Sequence, residues 1–424
     1  MKRVVVIGAG PAGMMAAGRA AECGAEVVLL EKTNSLGNKL LITGKDRCNF
    51  TNSNELDIFI RKFGNKGNFL YPAFYNFFNE DLVNFFETLG VRSKIERGGR
   101  IFPVSDSAED IQKALLKYIK NTGVQVITGN KVKDVIKRNG RVCGVRTEKG
   151  IEFRESNKKS SLPPFSVILC TGGMSYPGTG STGDGYRIAQ KLGHTIVPLR
   201  PALVPLETKE EWPKKLSGLS LENIRAIARA SGRKIAEEFG DMLFTHFGVS
   251  GPVILSMSKI ICRALERGNV IISIDLKPAL SFEKLDLRIQ RDFQKYSNKI
   301  FSNCLNDLLP KSLIPVIVKL SCIPEGKPVH SITRQERLNL VKLLKELSIE
   351  IVRTRPIAEA IVTSGGISLE EVDNHTMESK IVKGLYFAGE ILDLDGPTGG
   401  YNLQMAFSTG RLAGESAAGL KWEN

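Results

Sequence analysis

A chain of 424 residues is longer than one hydrophobic core usually serves, so two or three domains are expected. With 42% apolar and 25% charged residues the composition is that of a folded globular protein, and no run approaches the roughly 18 consecutive apolar residues that a membrane span needs. The net charge of +14 is spread along the chain without a long run of like charges, so it reads as a generally basic surface rather than a nucleic-acid groove.

The seven cysteines are scattered and form no C-x-x-C pair, so neither a zinc site nor a disulfide framework is suggested, and a reducing cytoplasm fits best. No metal is expected. The basic pair before Val4-Val-Val-Ile7 imitates a secretory leader, but Glu22, Glu26 and the intervening glycines argue against one.

Residues 3–7 read as a buried parallel strand, followed at once by Gly8-Ala9-Gly10-Pro11-Ala12-Gly13. Met14 to Cys23 reads as a helix ended by Gly24, and Val27 to Leu30 as a second strand closed by Glu31. Strand, G-x-G-x-x-G, helix, strand and acid make the complete dinucleotide-binding βαβ unit. Gly8 permits the tight turn, Gly10 lets the backbone approach a diphosphate, and Gly13 lets the helix pack on the strand, with Pro11 and Ala12 counted among the cofactor-binding residues of the turn. Glu31 would accept hydrogen bonds from the adenosine ribose and repel a 2′-phosphate, with Lys32 beside it, so FAD or NAD fits and NADP does not.

Val124 to Glu155 carries short β runs around the hairpin signal Asn139-Gly140 and reads as a β-meander on the cofactor-binding sheet. Phe165 to Cys170 is another strand, ending at Thr171-Gly172-Gly173. The second G-x-G-x-x-G, Gly178 to Gly183, is a decoy: five residues separate it from that strand, and it reads as a loop leading into a helix from Gly185 to Leu192. Pro198, Pro201 and Pro205 mark an exit from the α/β pattern. Glu222 to Ile274 reads mainly as strands with one helix after Pro252, residues 276–335 read as helical, and Ile349 to Arg353 as a strand.

Near the other end, Gly384 to Ala388 reads as a buried strand followed by Gly389-Glu390, a loop from Asp393 to Gly400, and a helix from Tyr401 to Leu412 that opens with Asn402 and Leu403. The acid would bind ribityl hydroxyls or, through water, a phosphate. The helix N-terminus would face the flavin pyrimidine edge. This second anchor makes FAD the better choice over NAD.

Five blocks resemble the bacterial NAD(P)/FAD-dependent oxidoreductase family that includes a 3-dehydro-bile-acid Δ4,6-reductase and an aminoacetone oxidase. They are Gly37-Asn-Lys-Leu-Leu-Ile-Thr-Gly-Lys-Asp-Arg-Cys-Asn-Phe-Thr-Asn52, the stretch Thr171 to Gly185, Leu243-Phe-Thr-His-Phe-Gly-Val-Ser-Gly-Pro252, Val362-Thr-Ser-Gly-Gly-Ile367, and Gly389 to Gln404. The resemblance covers nearly the whole chain. It implies an α/β, glutathione-reductase-type Rossmann-like FAD-binding domain (1–195 and 355–424) interrupted by a β-barrel-like insert (196–275 and 336–354) that carries a small helical subdomain (276–335). It also implies flavin contacts at Lys39, Arg47, Cys48 and Asn49. Where the family runs Gly-Gly-Gly-Arg-Cys-Asn, this chain has Lys45 and Asp46 in place of two glycines, which puts the local backbone geometry in question.

The expected activity is hydride transfer between flavin and a small organic substrate in the cytoplasm, in the bile-acid-reductase manner with NADH or NADPH as donor. An oxygen-using amine or aminoketone oxidase, a tRNA-modifying flavoprotein and a turnover-free redox sensor are the alternatives. Tyr401, His246 and Tyr176 are candidates for the substrate pocket. Cys48 reads as a packing or flavin-lining residue rather than a reactive thiol, because no resolving cysteine lies nearby. No catalytic residue or oligomeric state is assigned.

Overall fold

The computed structural model describes residues 2–154 and 165–420. The chain forms two compact units, 1–200 with 361–424, and 201–360. Glu155, the last residue of the expected meander, lies outside the described residues.

In the first unit, β1 (Arg3–Ile7), α1 (Pro11–Glu22), β2 (Glu26–Leu30), α2 (Ala108–Asn121), β3 (Gln125–Ile127), β4 (Phe165–Leu169), β5 (Val362–Ile367), β6 (Leu385–Phe387) and α3 (Tyr401–Ala418) organise the molecule. Five of the strands make a parallel sheet in the order β6-β4-β1-β2-β3. Val4, Val5, Val6, Val28, Leu29, Val167, Ile168 and Leu169 are fully or almost fully buried, as a strand covered on both faces requires. The run expected to open a meander divides instead. Gln125–Ile127 pairs parallel with β2 and completes the sheet, while only Val132–Arg138, Arg141–Thr147 and Glu152–Arg154 form an antiparallel three-stranded sheet. Its apolar Val126 and Ile127 suit either pairing, and periodicity alone does not choose.

The helix at α1 begins three residues earlier than expected because Pro11 occupies its first turn, where a missing N–H costs nothing. At the other end of the chain α3 outruns its expected stop by six residues. A Cβ on Gly410 would stand 2.4 Å from the Ala12 carbonyl oxygen, and one on Gly414 2.5 Å from that of Ala16. The two helices therefore touch backbone to backbone, and the small residues after Leu412 extend that contact. Arg19 on α1 pairs with the fully buried Glu415 at 2.6 Å, which Asn76 also binds at 2.7 Å.

The second unit is a closed six-stranded antiparallel barrel of Leu206–Thr208, Gly248–Ser250, Arg233–Thr245, Ser220–Ala230, Val270–Asp275 and Leu347–Thr354. Alternation sends Leu221, Ile224, Ala226 and Ala228 inward. Helices Phe282–Lys295, Ile314–Ser321 and Arg334–Lys345 share one apolar core with the barrel strands. The last of these crosses the expected boundary at 335. Its start is set by a capping box, Thr333 and Glu336, and Lys327 together with the Thr333 N–H brings the Glu336 carboxyl down to about 2. No helix among the described residues is long and apolar enough to cross a membrane.

Candidate functional site

The turn from Gly8 to Gly13 sits where β1 ends between β2 and β4. Gly8 donates its N–H to the Leu30 carbonyl at 2.8 Å and has φ +98°. A Cβ there would lie 2.6 Å from the Cys170 oxygen, and a Cβ on Gly13 would lie 1.8 Å from the Gly8 oxygen. Around Gly10 the same construction meets nothing within 4 Å. Gly10 is also the N-cap of α1 and offers no side-chain cap, so the first N–H groups of that helix face an open cradle. That space and those N–H groups suit a diphosphate in chemistry and in size.

Glu31 ends β2 with both carboxylate oxygens fixed. One accepts from the Ala9 N–H at 2.8 Å, and the other accepts from the Thr33 N–H and hydroxyl, each at 2.9 Å. A carboxylate held this way keeps its orientation before any hydroxyl arrives. Lys32 turns instead toward Asp184 at 2.7 Å and Thr182 at 2.5 Å, and burial lowers its pKa. The glycine loop read as a decoy is no second nucleotide turn, yet it is not remote: a Cβ on Gly180 would lie 3.9 Å from Glu31 Oε1. Thr171 and Gly172 follow β4, and the buried Thr171 hydroxyl has no hydrogen-bond partner.

Residues expected at the flavin half separate into two sets. Lys39 and Glu390, 351 positions apart, meet at 2.8 Å; Lys39 also donates to Ser175 at 2.5 Å, and Glu390 accepts from the Thr363 N–H at 2.9 Å. Ser175 and Thr363 escaped sequence reasoning; the blocks that contain them were the available signal. Gly389 lies against α1, its Cβ position 2.8 Å from that of Ala12, so the Gly389-Glu390 segment reaches the same helix start as the glycine turn. Asn402 binds the Gly396 N–H and carbonyl at 2.8 Å each and braces the loop ahead of α3, while Gly400 lies against the Thr51 carbonyl and Leu403 packs partly buried on the main core.

Arg47, Cys48 and Asn49 belong to the other set. The Arg47 guanidinium pairs with Glu96 and with Asp106 (2.7 Å from Nε) and covers the Phe102 ring at 4.2 Å. Cys48 is fully buried, and burial pushes its thiol up to about 12, in keeping with a packing residue. Asn49 donates its amide to the Thr51 and Ile101 carbonyls at 2.8 and 2.9 Å, a backbone brace. Among the pocket candidates, Tyr401 is almost fully buried, its ring edge-on to Phe59 and its hydroxyl 2.6 Å from the Asn54 amide. Tyr176 is exposed at φ +50°, and His246 stacks edge-on with Phe247 in the barrel unit. Tyr401 thus packs the loop rather than lining open space.

One further arrangement imitates a catalytic triad. Ser379 Oγ lies 2.9 Å from His194 Nε2, and His194 Nδ1 lies 3.1 Å from Glu371. The serine is 1% exposed and its oxygen already accepts from the N–H groups of Ile381 and Val382, so the trio clamps a loop and performs no nucleophilic chemistry.

Residues 2–416 match the family model described as HI0933-like protein Rossmann domain. The chain is 32% identical over 422 residues to a 3-dehydro-bile acid delta(4,6)-reductase of Clostridium scindens, covering 99% of each. It is 28% identical over 408 residues to a ribosomal RNA dihydrouridine synthase of Haemophilus influenzae, covering 96% of each. Among solved structures, a 3-ketosteroid delta1-dehydrogenase of Sterolibacterium denitrificans superposes with a TM-score of 0.55 at 13% identity, over 99% of this chain and all of that one, which shows a shared fold. With the glycine turn at the start of α1 and these kinships together, the chain belongs to the HI0933-like Rossmann family and is an FAD-dependent oxidoreductase.

Proposed function

We propose that this protein reduces a carbon–carbon double bond conjugated to a carbonyl group, in a small polycyclic or heterocyclic molecule, with NADH or NADPH as electron donor. The observation that carries the reading is end-to-end kinship with a delta(4,6)-reductase, joined to a cradle built for FAD. The residues fit that cofactor. Space at Gly10 and the uncapped start of α1 would take the diphosphate, Glu31 the adenosine ribose, and Glu390 the ribityl chain. Bound FAD supplies the hydride. The chain's own part is to orient and to tune: Lys39, held by Glu390 and Ser175, places a fixed cation in a half-buried setting beside the second anchor, where it favours accumulation of negative charge.

Anaerobic mixing of the FAD-loaded protein with NADH and with NADPH tests the donor: the flavin absorbance should bleach with one of them and return on adding a 3-keto-Δ4 steroid or a similar enone. No bleaching with either donor would sink the reductase reading. Bleaching by a primary amine, with oxygen restoring the colour, would assign an oxidase instead.

A second reading has its own support: the same reduction performed on a uracil ring within RNA. The dihydrouridine synthase relative spans almost the whole chain, and residues 201–360 hold 25 Lys and Arg against 18 Asp and Glu. This version predicts RNA retention at low salt that weakens steeply as salt is raised.

A further inference from the structure

We infer that His194 is an acid-sensitive latch on the second flavin anchor: a proton taken up by its ring releases residues 368–384 and loosens the strand that leads to Glu390. The latch rests on the reading of Glu390 as the ribityl anchor and adds a control over it. His194 is 3% exposed, and its hydrogen bonds fix where the ring proton sits. Ser379 Oγ accepts the N–H groups of Ile381 and Val382 at 3.0 and 2.8 Å, which fills both lone pairs of the hydroxyl. The hydroxyl proton is therefore donated to His194 Nε2 at 2.9 Å, and the one ring proton lies on Nδ1, donated to Glu371 at 3.1 Å. A second ring proton, on Nε2, would point at an oxygen with no lone pair left. The charged ring and the closed clamp are incompatible.

What the clamp holds is β6. Ser379 donates its N–H to the Leu385 carbonyl at 2.7 Å, and Phe387 donates its own to the Met377 carbonyl at 3.0 Å. On its other edge β6 meets β4 through three residue pairs. The His194 ring also stands edge-on to Phe387, the centroids 4.8 Å apart. Glu390 follows Phe387 by three positions, so opening the clamp leaves the anchor at the end of a short strand bonded on one edge. Burial holds the His194 imidazole below its ordinary value; Glu371 opposes this, and the Lys137 ammonium, which binds the Leu192 carbonyl at 2.8 Å, adds to it. A ring kept neutral in the closed state and free to take a proton in the open one favours closure fully above about pH 6.5. That preference declines as pH falls below this value, until the closed ring itself protonates.

Hydrogen exchange of the full-length, FAD-loaded protein, corrected for its intrinsic pH dependence, reads the latch at the Ile381 and Val382 amides. Their opening equilibrium should rise, approaching about tenfold per pH unit, below about pH 6.5. The rate of FAD release, read from flavin fluorescence on dilution, should rise in step. His194→Gln keeps an acceptor for the Ser379 hydroxyl but takes up no proton, so both profiles should flatten. His375→Gln, an exposed change in the same segment, should leave them as in wild type. Opening that ignores pH in wild type overturns the latch, as does a His194 ring whose NMR titration falls at or above the ordinary imidazole value; neither measurement needs the variant to fold. Acid-sensitive opening with an unchanged rate of FAD release overturns the coupling, and with it the placing of the ribityl chain at Glu390. Acid-sensitive FAD release without opening at the two amides overturns the latch and leaves that placing standing.

Discussion

Two stretches of backbone in the first unit take left-handed or crowded conformations, and they do so for different reasons. In the turn Gly8–Gly13, glycine answers proximity: side chains at Gly8 and Gly13 would strike main-chain atoms of Cys170 and of Gly8 itself. In the corner Gly44–Cys48 it would answer mainly torsion, for a Cβ on Gly44 would come no nearer to backbone than 3.0 Å, at the Asn49 nitrogen. Gly44, Lys45, Asp46 and Cys48 all have φ between +57° and +65°, yet only the first is glycine. A clash with backbone has no local remedy, whereas a left-handed torsion costs about 1–2 kcal/mol and an L-residue can bear it. Lys45 and Asp46 therefore hold a left-handed path without glycine, whereas Gly8 and Gly13 cannot be replaced without a change of path.

The sharpest way to break this contrast is Gly13→Ala. Its Cβ would stand 1.8 Å from a carbonyl oxygen, so β1 and α1 must separate, at about 3 kcal/mol or more. Thermal denaturation of the FAD-free protein should show a large fall in Tm, and a wild-type Tm would show that the turn is looser than its geometry. Gly10→Ala probes the same turn in the opposite sense. Open space around that Cβ and φ −78° predict an FAD-free stability within about 1 kcal/mol of wild type. The methyl group nevertheless occupies the cradle, so FAD affinity measured by reconstitution should fall at least about 10-fold, some 1.4 kcal/mol. Unchanged affinity would move the diphosphate elsewhere. Glu31→Ala removes a tethered carboxylate acceptor and should cost FAD about 1.5–3 kcal/mol, roughly 10- to 100-fold. A variant that purifies with a full complement of flavin would displace the ribose from Glu31.

These outcomes separate what was legible in the chain from what was not. Most of the parallel sheet could be read because each signal is local: an apolar run, glycines at fixed offsets, an acid at the strand end; Gln125–Ile127 could not, since its apolar pair suits either pairing. The barrel strands were readable for a similar reason, period-two alternation beside turn residues. The convergence of Lys39 on Glu390 was not, since nothing in the spacing of residues 351 apart states that they meet. Arg47 shows the converse. Its place in a glycine-rich block suggested a flavin contact, whereas its charge is taken by Glu96 and Asp106, which lie outside that block. The burial of Tyr401 was not legible either, because it depends on Phe59 and Asn54 arriving from a distant segment.

The smallest effect tests the torsional half of the contrast. If Lys45 and Asp46 only tolerate their left-handed conformation, Lys45→Gly and Asp46→Gly should each stabilise the protein, by up to about 1 kcal/mol. The relief of about 1–2 kcal/mol of torsional strain is offset by the larger backbone entropy that glycine brings to the unfolded chain. The Asp46 carbonyl also accepts the Ala108 N–H at 2.8 Å, at the start of α2, so the corner's path is anchored and glycine need not loosen it. Neither change should alter FAD affinity, because neither side chain is among the groups of the cradle. Chemical denaturation with matched m-values measures the gain. A loss of stability in both variants would mean that the Lys45 and Asp46 side chains hold the corner through contacts of their own, and that the contrast between proximity and torsion does not extend to it.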